Sequence, residues 1–379
     1  MTSDPVEASW AWLEEARADQ LAQGLVRRLD LGEEGLLDLA SNDYLGLARH
    51  PSVVAGAVAA AVRFGAGATG SRLVTGSTTL HADLEGALAE RTGAPSALVF
   101  SSGYLANVGA VTTLARPGTL VVSDSANHAS LIDACRLSRA VVEVVPHSCV
   151  AAVEDLLAHH PGRAIVVVDA IFSVDGSMAP LRELHEVVRR HHGLLLVDEA
   201  HALGVLGPAG GGACAALGLE HEPDIIRTVT LSKALGSAGG AVLGPTLLRD
   251  QLVDTARAFV FDTGLAPPSA GAALAALDLV TDERLAALTA NAQRLAELLG
   301  VAPTPGPVTR VPVGDPHEAL AAQQACRDAG VRVGCFRPPS VPAGGSCLRV
   351  AARATLLPEE IERAANVVLA ALRSRAAAR

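Results

Sequence analysis

The residue with the most distinctive chemistry in this sequence is a single lysine. Lys233 is the only lysine among 379 residues and lies in the run Thr230–Gly236, after an apolar stretch. Forming a Schiff base requires an amine that can lose its proton, whereas a guanidinium stays protonated in proteins. A solvated surface lysine is the alternative. The residue type is therefore compatible with Schiff-base formation at Lys233, and the rest of the sequence must decide between the two interpretations.

A carboxylate stands where it could work with this amine. Asp198 follows the apolar run Leu194–Val197 and opens the motif Asp198–His201. It could bind a metal, act as a general base, cap a helix or pair with a protonated heterocycle. If Asp198 and Lys233 end neighbouring strands, both could reach one bound ring. Pyridoxal phosphate (PLP) needs this pair, because the lysine holds its aldehyde and the carboxylate keeps its ring nitrogen protonated.

A phosphate site is expected where a glycine-containing turn opens a helix. Ser101–Asn107 follows a predicted strand and contains Gly103 and Tyr104, and the N–H groups of a helix N-terminus suit a phosphate. Tyr104 and Tyr44 are the only tyrosines, and both lie in loop-like motifs, which favours site roles over core packing. Gly65–Gly76 lacks the lysine of a nucleotide-binding loop, so it either approaches a ligand or forms an ordinary turn.

Two further polar residues lie beside or within predicted strands. His128 comes shortly after the strand that ends at Ser123, where it could stack on a planar cofactor or face solvent. Arg349 interrupts an apolar strand near the C-terminus. A buried arginine needs a carboxylate, which either a substrate or an internal salt bridge could supply.

The elements that must position these residues are predicted to form an α/β fold. Short β-branched runs alternate with helix-length segments from about residue 95 to 231, which indicates a doubly wound, mostly parallel sheet covered on both faces. Ligands bind at the carboxyl ends of such strands. The predicted strands are Ala97–Phe100, Leu120–Ser123, Val141–Val145, Ala164–Val168, Leu194–Val197 and Ile226–Thr230.

Other elements are predicted on either side of this sheet. They are a helix over Pro5–Arg28, a strand near Leu37–Leu39, a long helix over Pro267–Leu299 and a mixture of strands and helices after Pro305. We therefore expect an N-terminal segment (1–45), a large cofactor-binding domain (46–270) and a smaller C-terminal α+β domain (271–379).

The composition excludes several classes of protein. Hydrophobic residues make up 50% of the chain and charged residues 18%, which is typical of a compact enzyme. The net charge of −10 disfavours nucleic acid or an anionic membrane as a partner. The acidic N-terminus lacks the features of a signal peptide, so we expect a cytoplasmic protein. The six cysteines lack the spacing of a metal site, so no metal is expected.

Taken together, these motifs resemble the α-oxoamine synthase family of fold type I PLP enzymes. The resemblance runs from about Leu21 to the C-terminus. Members of this family join an amino acid to an acyl-CoA with loss of CO2, so the resemblance implies PLP as cofactor and a homodimer with shared active sites. The motifs that carry it are Ser41–Gly46, Gly70–Arg72, Ser102–Asn107, Asn127–Ser130, Phe172–Gly176, Asp198–His201 and Thr230–Lys233.

The resemblance implies contacts with the cofactor ring for five residues, of which Lys233, His128, Asp198 and His201 would be catalytic. Lys233 would be the Schiff-base lysine and the proton shuttle. Asp198 would pair with the pyridinium, and His128 would stack on the ring. His201 and Ser173 would hydrogen-bond the ring oxygen.

It also implies a set of binding contacts. The phosphate would be held by Gly103, Tyr104, Thr230 and, from the second subunit, Thr263. The substrates would be bound by Arg349 at the amino-acid carboxylate, by Asn42 and Ser71, and by Arg27, which is preferred over Arg28, at the far carboxylate of the acyl chain.

Within the family, the segment Arg337–Gly344 is similar to the branch that condenses L-alanine with a pimeloyl thioester on CoA or on a carrier protein. The alternatives are related enzymes that use glycine or serine with other acyl groups, a plain aminotransferase, and a non-catalytic partner subunit. The joint presence of Lys233, Asp198 and His128 argues against the partner subunit.

Overall fold

The structure is a computed structural model that describes residues 5–29 and 35–376. Its α-helices are α1 (Pro5–Ala22), α2 (Pro51–Phe64), α3 (Thr79–Thr92), α4 (Gly103–Leu114), α5 (Ala129–Ser138), α6 (Val150–His159), α7 (Leu181–Arg190), α8 (Ala213–Ala216), α9 (Thr246–Thr255), α10 (Arg257–Val260), α11 (Pro267–Leu277), α12 (Asp282–Leu299), α13 (Pro316–Asp328) and α14 (Pro358–Ala376). Its strands are β1 (Leu37–Leu39), β2 (Ser96–Phe100), β3 (Leu120–Asp124), β4 (Val141–Val145), β5 (Ala164–Asp169), β6 (Leu194–Asp198), β7 (Ile225–Thr230), β8 (Gly240–Gly244), β9 (Val308–Gly314), β10 (Val331–Phe336) and β11 (Ser346–Ala351).

A seven-stranded sheet forms the centre of the molecule, with strand order β2-β8-β7-β6-β5-β3-β4. Six of its strands run in one direction, and β8 is antiparallel to its two neighbours, β2 and β7. The predicted doubly wound, mostly parallel α/β sheet is therefore confirmed. Strand β8 was not predicted, because Gly240–Gly244 has few of the β-branched residues that marked the other strands.

The parallel strands bring their carboxyl ends to one edge of this sheet. Asp169 at the end of β5 lies opposite Asp198 at the end of β6, and Asp198 lies opposite Thr228 on β7. Lys233 follows β7 directly. Residues far apart in sequence thus converge because neighbouring strands share direction and register.

A second sheet has the order β1-β10-β11-β9. Its first strand comes from the N-terminal part of the chain, since Leu37–Leu39 pairs in parallel with Val331–Val333. Apolar residues of α12, α13 and α14 pack on this sheet in a core of its own. The proposed division into residues 1–45, 46–270 and 271–379 stays a prediction, and β1 shows that the N-terminal segment shares a sheet with the C-terminal one.

Two predicted helices were too long. The first ends at Ala22 rather than Arg28, because Gly24 takes a left-handed conformation (φ 66°) that closes the last turn. The segment Pro267–Leu299 forms two helices, α11 and α12, rather than one. The second begins after Thr281, whose side chain caps the helix by accepting from the Arg284 amide at 3.4 Å.

Within the described part of the chain, no helix combines the length and apolar character needed to cross a bilayer. The cytoplasmic location stays a prediction.

Candidate active site

Lys233 lies within a short chain of hydrogen bonds at the carboxyl edge of the large sheet. Its Nζ is 2.7 Å from Nε2 of His201, and Nδ1 of that histidine is 2.6 Å from the hydroxyl of Tyr44. Burial lowers the pKa of His201 well below its usual value, and the charges of Lys233 and Arg349 act in the same direction. A neutral imidazole therefore joins the lysine to the tyrosine.

The amine of Lys233 is easier to deprotonate than an ordinary lysine. Burial lowers its pKa to about 8, the carboxylates of Asp198 and Asp169 act against this shift, and Arg349 adds to it. At neutral pH a useful fraction of the amine is therefore unprotonated, as a nucleophile or general base requires. The alternative of a solvated surface lysine does not describe this environment.

Asp198 is buried and held by two donors. Its Oδ1 accepts from the amide of Ala200 at 2.8 Å, and its Oδ2 accepts from Nδ2 of Asn107 at 2.6 Å. The first bond is a local turn of the kind expected of a cap, but the residues that follow form a turn rather than a helix. The second bond holds the carboxylate in place at the carboxyl edge of the sheet.

Asn107 connects Asp198 to His128 through Ser130, a role that was not predicted from the sequence. The Asn107 Nδ2 also donates to Oγ of Ser130 at 2.8 Å, and its Oδ1 accepts from Oγ1 of Thr228 at 2.6 Å. The Ser130 hydroxyl is 2.7 Å from Nδ1 of His128, which also accepts from the Ser130 amide at 3.2 Å. The sequence signal for this role was an asparagine within the mostly apolar helix α4.

A second carboxylate at this edge, Asp169, was also missed. It lies beside Asp198, and its Oδ2 accepts from the amide of His128 at 2.9 Å. Burial raises the pKa of Asp169 well above its usual value, and the neighbouring charge of Asp198 adds to the rise. Since Asp169 is the last residue of an apolar strand, the sequence pattern that drew attention to Asp198 could also have identified it.

The N-terminus of α4 lies against the end of β7. Ser102 caps the helix by accepting from the Leu105 amide at 3.1 Å. A Cβ on Gly103 would come 3.0 Å from Cβ of Thr230, so glycine permits this close approach. The predicted phosphate residues Gly103 and Thr230 are therefore neighbours at a helix N-terminus. The hydroxyl of Tyr104 is instead bonded to Asp133 at 2.7 Å, which leaves the backbone of this residue to serve a phosphate.

Arg349 reaches the same region from the second sheet. Its Nη1 donates to the carbonyl of Ser173 at 2.8 Å, and its Nη2 donates to Oδ1 of Asn42, also at 2.8 Å. Its Nε has no partner, and no described carboxylate forms an ion pair with it. The internal salt bridge that was the alternative for Arg349 is thus absent from the described residues. Ser173 lies in the site, although its contact here is made by its carbonyl.

Three predicted site residues lie apart from these contacts. Ser71 and Thr263 pair with each other in an isolated β-bridge. Arg27 donates to the hydroxyl of Ser340 at 3.4 Å and lines an open groove of about 1130 Å³ with Arg337 and Phe336. The groove leads toward the site, because the guanidinium of Arg349 lies 4.8 Å from the centre of the Phe336 ring.

This fold is that of a known family. The family model for aminotransferase class I and II matches residues 34–368. The chain therefore belongs to that family and, within it, to the α-oxoamine synthases.

Similar proteins with known names indicate which α-oxoamine synthases the chain resembles. The 8-amino-7-oxononanoate synthase of Mycobacterium sp. (strain JLS) is 56% identical over 364 residues, which cover 94% of this chain and 95% of that protein. A serine palmitoyltransferase variant from S. paucimobilis, solved with bound PLP and myriocin, has a TM-score of 0.90 and 28% identity over 99% of this chain and 100% of that one. The 8-amino-7-oxononanoate synthase of Francisella tularensis shares the fold, with a TM-score of 0.78 and 24% identity over 91% of this chain and 100% of that one.

Proposed function

We propose that this protein catalyses the PLP-dependent decarboxylative condensation of L-alanine with a pimeloyl thioester. The products would be 8-amino-7-oxononanoate, CO2 and the free thiol, as a step of biotin biosynthesis. The observation that carries the proposal is the convergence of Lys233, His201, Asp198 and His128 at one sheet edge. The name of the 56% identical relative supports the choice of substrates.

The residues at this edge fit PLP in three respects. Lys233 supplies an amine with a lowered pKa for the aldehyde. Asp198 supplies a carboxylate, fixed by Asn107, for the ring nitrogen. The N-terminus of α4 supplies amides and a positive dipole end for the phosphate beside Gly103 and Thr230.

The cofactor and the protein would supply different parts of the chemistry. When bound, PLP supplies an aldehyde for the amino group and a protonated ring that accepts electron density from Cα. Nζ of Lys233 would take the proton from Cα of alanine and later return one. His201 would hold Nζ in place through the 2.7 Å hydrogen bond. His128 would cover one face of the ring and exclude water from it.

Arg349 is the proposed ligand of the alanine carboxylate. It is a buried guanidinium with an unpartnered Nε, and no described acidic residue neutralises it. Such a group binds a carboxylate strongly in a two-point geometry. Asn42, which already accepts from Arg349 Nη2, would orient it.

The groove beside Phe336 is the proposed route for the pimeloyl chain. Its lining combines apolar residues such as Phe336 with polar ones, and an arginine there could bind the far carboxylate of the chain. The arginines that line it are Arg27, Arg28, Arg327, Arg332 and Arg337. Arg27 is 3.4 Å from Ser340, within the segment that resembles the pimeloyl-using branch. Supplying pimeloyl-CoA and the pimeloyl thioester of a carrier protein separately, and comparing the rates of thiol release, decides which of the two delivers the chain.

We further propose a homodimer in which Thr263 contributes to the phosphate site of the other subunit. An apolar stripe on α2 supports this proposal, since Val54, Val58 and Val62 are spaced four residues apart and are 47%, 57% and 84% exposed. Such a stripe is typical of a helix that packs on a partner.

The proposal is tested by the visible spectrum of purified protein with PLP, followed by addition of alanine, glycine or serine and then pimeloyl-CoA. We expect a yellow protein whose band shifts with alanine and which releases thiol only when alanine and pimeloyl-CoA are both present. Preference for glycine or serine would move the function to a related synthase. A protein that stays colourless with PLP would contradict the proposal entirely.

A further inference from the structure

A continuous line of hydrogen bonds connects the amine of Lys233 to the guanidinium of Arg349. After the His201 ring, the line passes through the hydroxyl of Tyr44, which is 3.1 Å from Oδ1 of Asn42. The same Oδ1 accepts from Nη2 of Arg349 at 2.8 Å. The mechanism above assigns no role to Tyr44.

Chemistry fixes the direction of every hydrogen in this line. A guanidinium can only donate, so Oδ1 of Asn42 is an acceptor. The Tyr44 hydroxyl therefore donates to Asn42, and its oxygen accepts from Nδ1–H of His201. A neutral imidazole with its hydrogen on Nδ1 presents a lone pair at Nε2. Nε2 then accepts a hydrogen from Lys233.

We propose that Tyr44 is a positioning residue that holds His201 in its Nδ1-protonated tautomer and thereby keeps a hydrogen-bond acceptor aimed at Lys233. Tyr44 would not touch the substrate. It would act through His201, and the proposal rests on the proposed function in that Lys233 is taken as the catalytic amine.

The surroundings of Tyr44 suit this role. The side chain is fully buried within an apolar cluster that includes Leu45 and Leu47, and its backbone carbonyl accepts from the Ala354 amide at 2.7 Å. Burial raises the pKa of Tyr44 above its ordinary value, so the hydroxyl keeps its proton across the working range. A phenyl ring would keep this packing, so the hydroxyl can be removed by itself.

Other charged groups also face Lys233, and they are kept when the Tyr44 hydroxyl is removed. Asp198 at the end of β6 and Asp169 at the end of β5 favour the ammonium form, whereas Arg349 on β11 disfavours it. His128, before α5, and His201 complete the set of titratable groups that interact here. All of them remain in a Tyr44→Phe variant, so a change in the pKa of Lys233 reports the loss of the hydroxyl.

The test uses the fact that Lys233 is the only lysine. Trace acetylation of PLP-free protein over a pH series, read by mass spectrometry of the Lys233 peptide, gives the pKa of its amine. In Tyr44→Phe the Nδ1–H loses its acceptor, so His201 shifts to the other tautomer and points Nε2–H at the amine, which favours the neutral form. We expect the pKa of Lys233 to fall by about one unit, which is about tenfold more labelling well below the midpoint.

Three further variants make the result specific. Thr92→Val removes a buried hydroxyl that donates to the Leu88 carbonyl, and it should leave the Lys233 pKa at its wild-type value. Asn42→Ala should also lower the pKa of Lys233. Without Asn42 as an acceptor, the Tyr44 hydroxyl can donate to Nδ1 of His201, which favours the other tautomer. The double variant should show no further fall, since both residues act through one histidine.

A folded Tyr44→Phe protein with the wild-type lysine pKa would overturn the proposal, as would additive effects of Tyr44→Phe and Asn42→Ala. Folding is checked by circular dichroism and thermal melting of each variant. The failure of the proposed function is seen separately, because an unchanged lysine pKa in an enzyme that releases thiol refutes only the role of Tyr44. A shifted pKa in a protein that never releases thiol refutes only the function.

Discussion

At the scale of single residues, Lys233 is distinguished by where its amine is placed. Its Nζ is bonded to a neutral histidine and faces the carboxylates of Asp198 and Asp169. An arginine at this position would keep the positive charge but could neither form a covalent bond to a carbonyl nor release a proton. The retention of one lysine in an arginine-rich chain is thereby explained by chemistry.

Replacement of Lys233 by arginine tests this explanation. We expect turnover below about one thousandth of the wild-type rate, because both the nucleophile and the general base are lost. Thiol release and the visible band of the PLP-loaded protein are the measurements. Arg249→Lys is the matched control, since it places an amine on the exposed surface beside Asp250 and should leave both signals intact. Substantial turnover in Lys233→Arg would contradict the assignment.

The pH dependence of the same amine gives a second prediction. The pKa of Lys233 is lowered to about 8 from 10.5, so its unprotonated fraction rises as pH increases through about 8. At pH 7 roughly a tenth of the amine is unprotonated, against less than about a thousandth for an ordinary lysine. Acetylation of wild-type, PLP-free protein should therefore reach half its maximal rate near pH 8. A midpoint above pH 10 would show that burial has no effect on this lysine.

Asn107 is predicted to act as a positioning residue for Asp198 and His128. Asn107→Ala removes the donor to Asp198 Oδ2 and to Ser130, so we expect PLP to bind at least about tenfold more weakly. The dissociation constant is measured by titrating PLP and recording the visible band. Asn291→Ala, which removes an amide bonded to the carbonyls of Arg353 and Leu356, is the control and should leave PLP affinity unchanged. Equal affinity in both variants would exclude the role of Asn107.

At the scale of elements, the contact between α4 and β7 requires glycine at the start of the helix. In Gly103→Ala the new Cβ would lie 3.0 Å from Thr230 Cβ, so the helix end must shift. We expect a loss of about 1 kcal/mol in the free energy of unfolding and weaker PLP binding. Gly86→Ala, within α3, places its Cβ in open space and should instead stabilise the fold by about 0.5–1 kcal/mol. Urea unfolding measures the free energy of unfolding of both variants. Equal stability of Gly103→Ala and Gly86→Ala would contradict the close contact.

At the scale of the whole molecule, the apolar stripe of α2 predicts self-association. Wild-type protein should have twice the 38.6 kDa mass of the chain, and Val62→Asp should shift the equilibrium toward the monomer. Light scattering after size-exclusion chromatography measures both. Val144→Asp, at a residue that is 65% exposed on β4, is the control and should keep the wild-type mass. A monomeric wild-type protein would refute the dimer.

Mixed dimers test the shared site. Lys233→Arg and Thr263→Ala subunits are each expected to be poorly active alone. If Thr263 serves the partner's phosphate, a mixed dimer regains one intact site, so thiol release should reappear on mixing after partial unfolding. If the subunits are shown to exchange and thiol release does not reappear, Thr263 serves the site of its own subunit.

The sequence by itself determined the fold class and the strands that carry the candidate site, and it predicted the chemistry of Lys233 and Asp198. These depend on local signals, namely apolar runs of strand length and polar residues placed directly after them. The sequence also revealed Arg349 as a charge within an apolar strand. It did not reveal β8, the break between α11 and α12, or the true end of α1, because short glycine-rich strands and helix caps leave weak local patterns.

Only the tertiary structure decided how the site residues touch one another. Strand order and register placed Asp169 beside Asp198, and the second sheet brought Arg349 to Asn42 and Ser173. The links made by Asn107 and Tyr44 depend on distances of 2.6–3.1 Å between side chains far apart in sequence. Such contacts arise when elements pack, since hydrogen bonding of buried polar groups is satisfied across elements rather than along the chain.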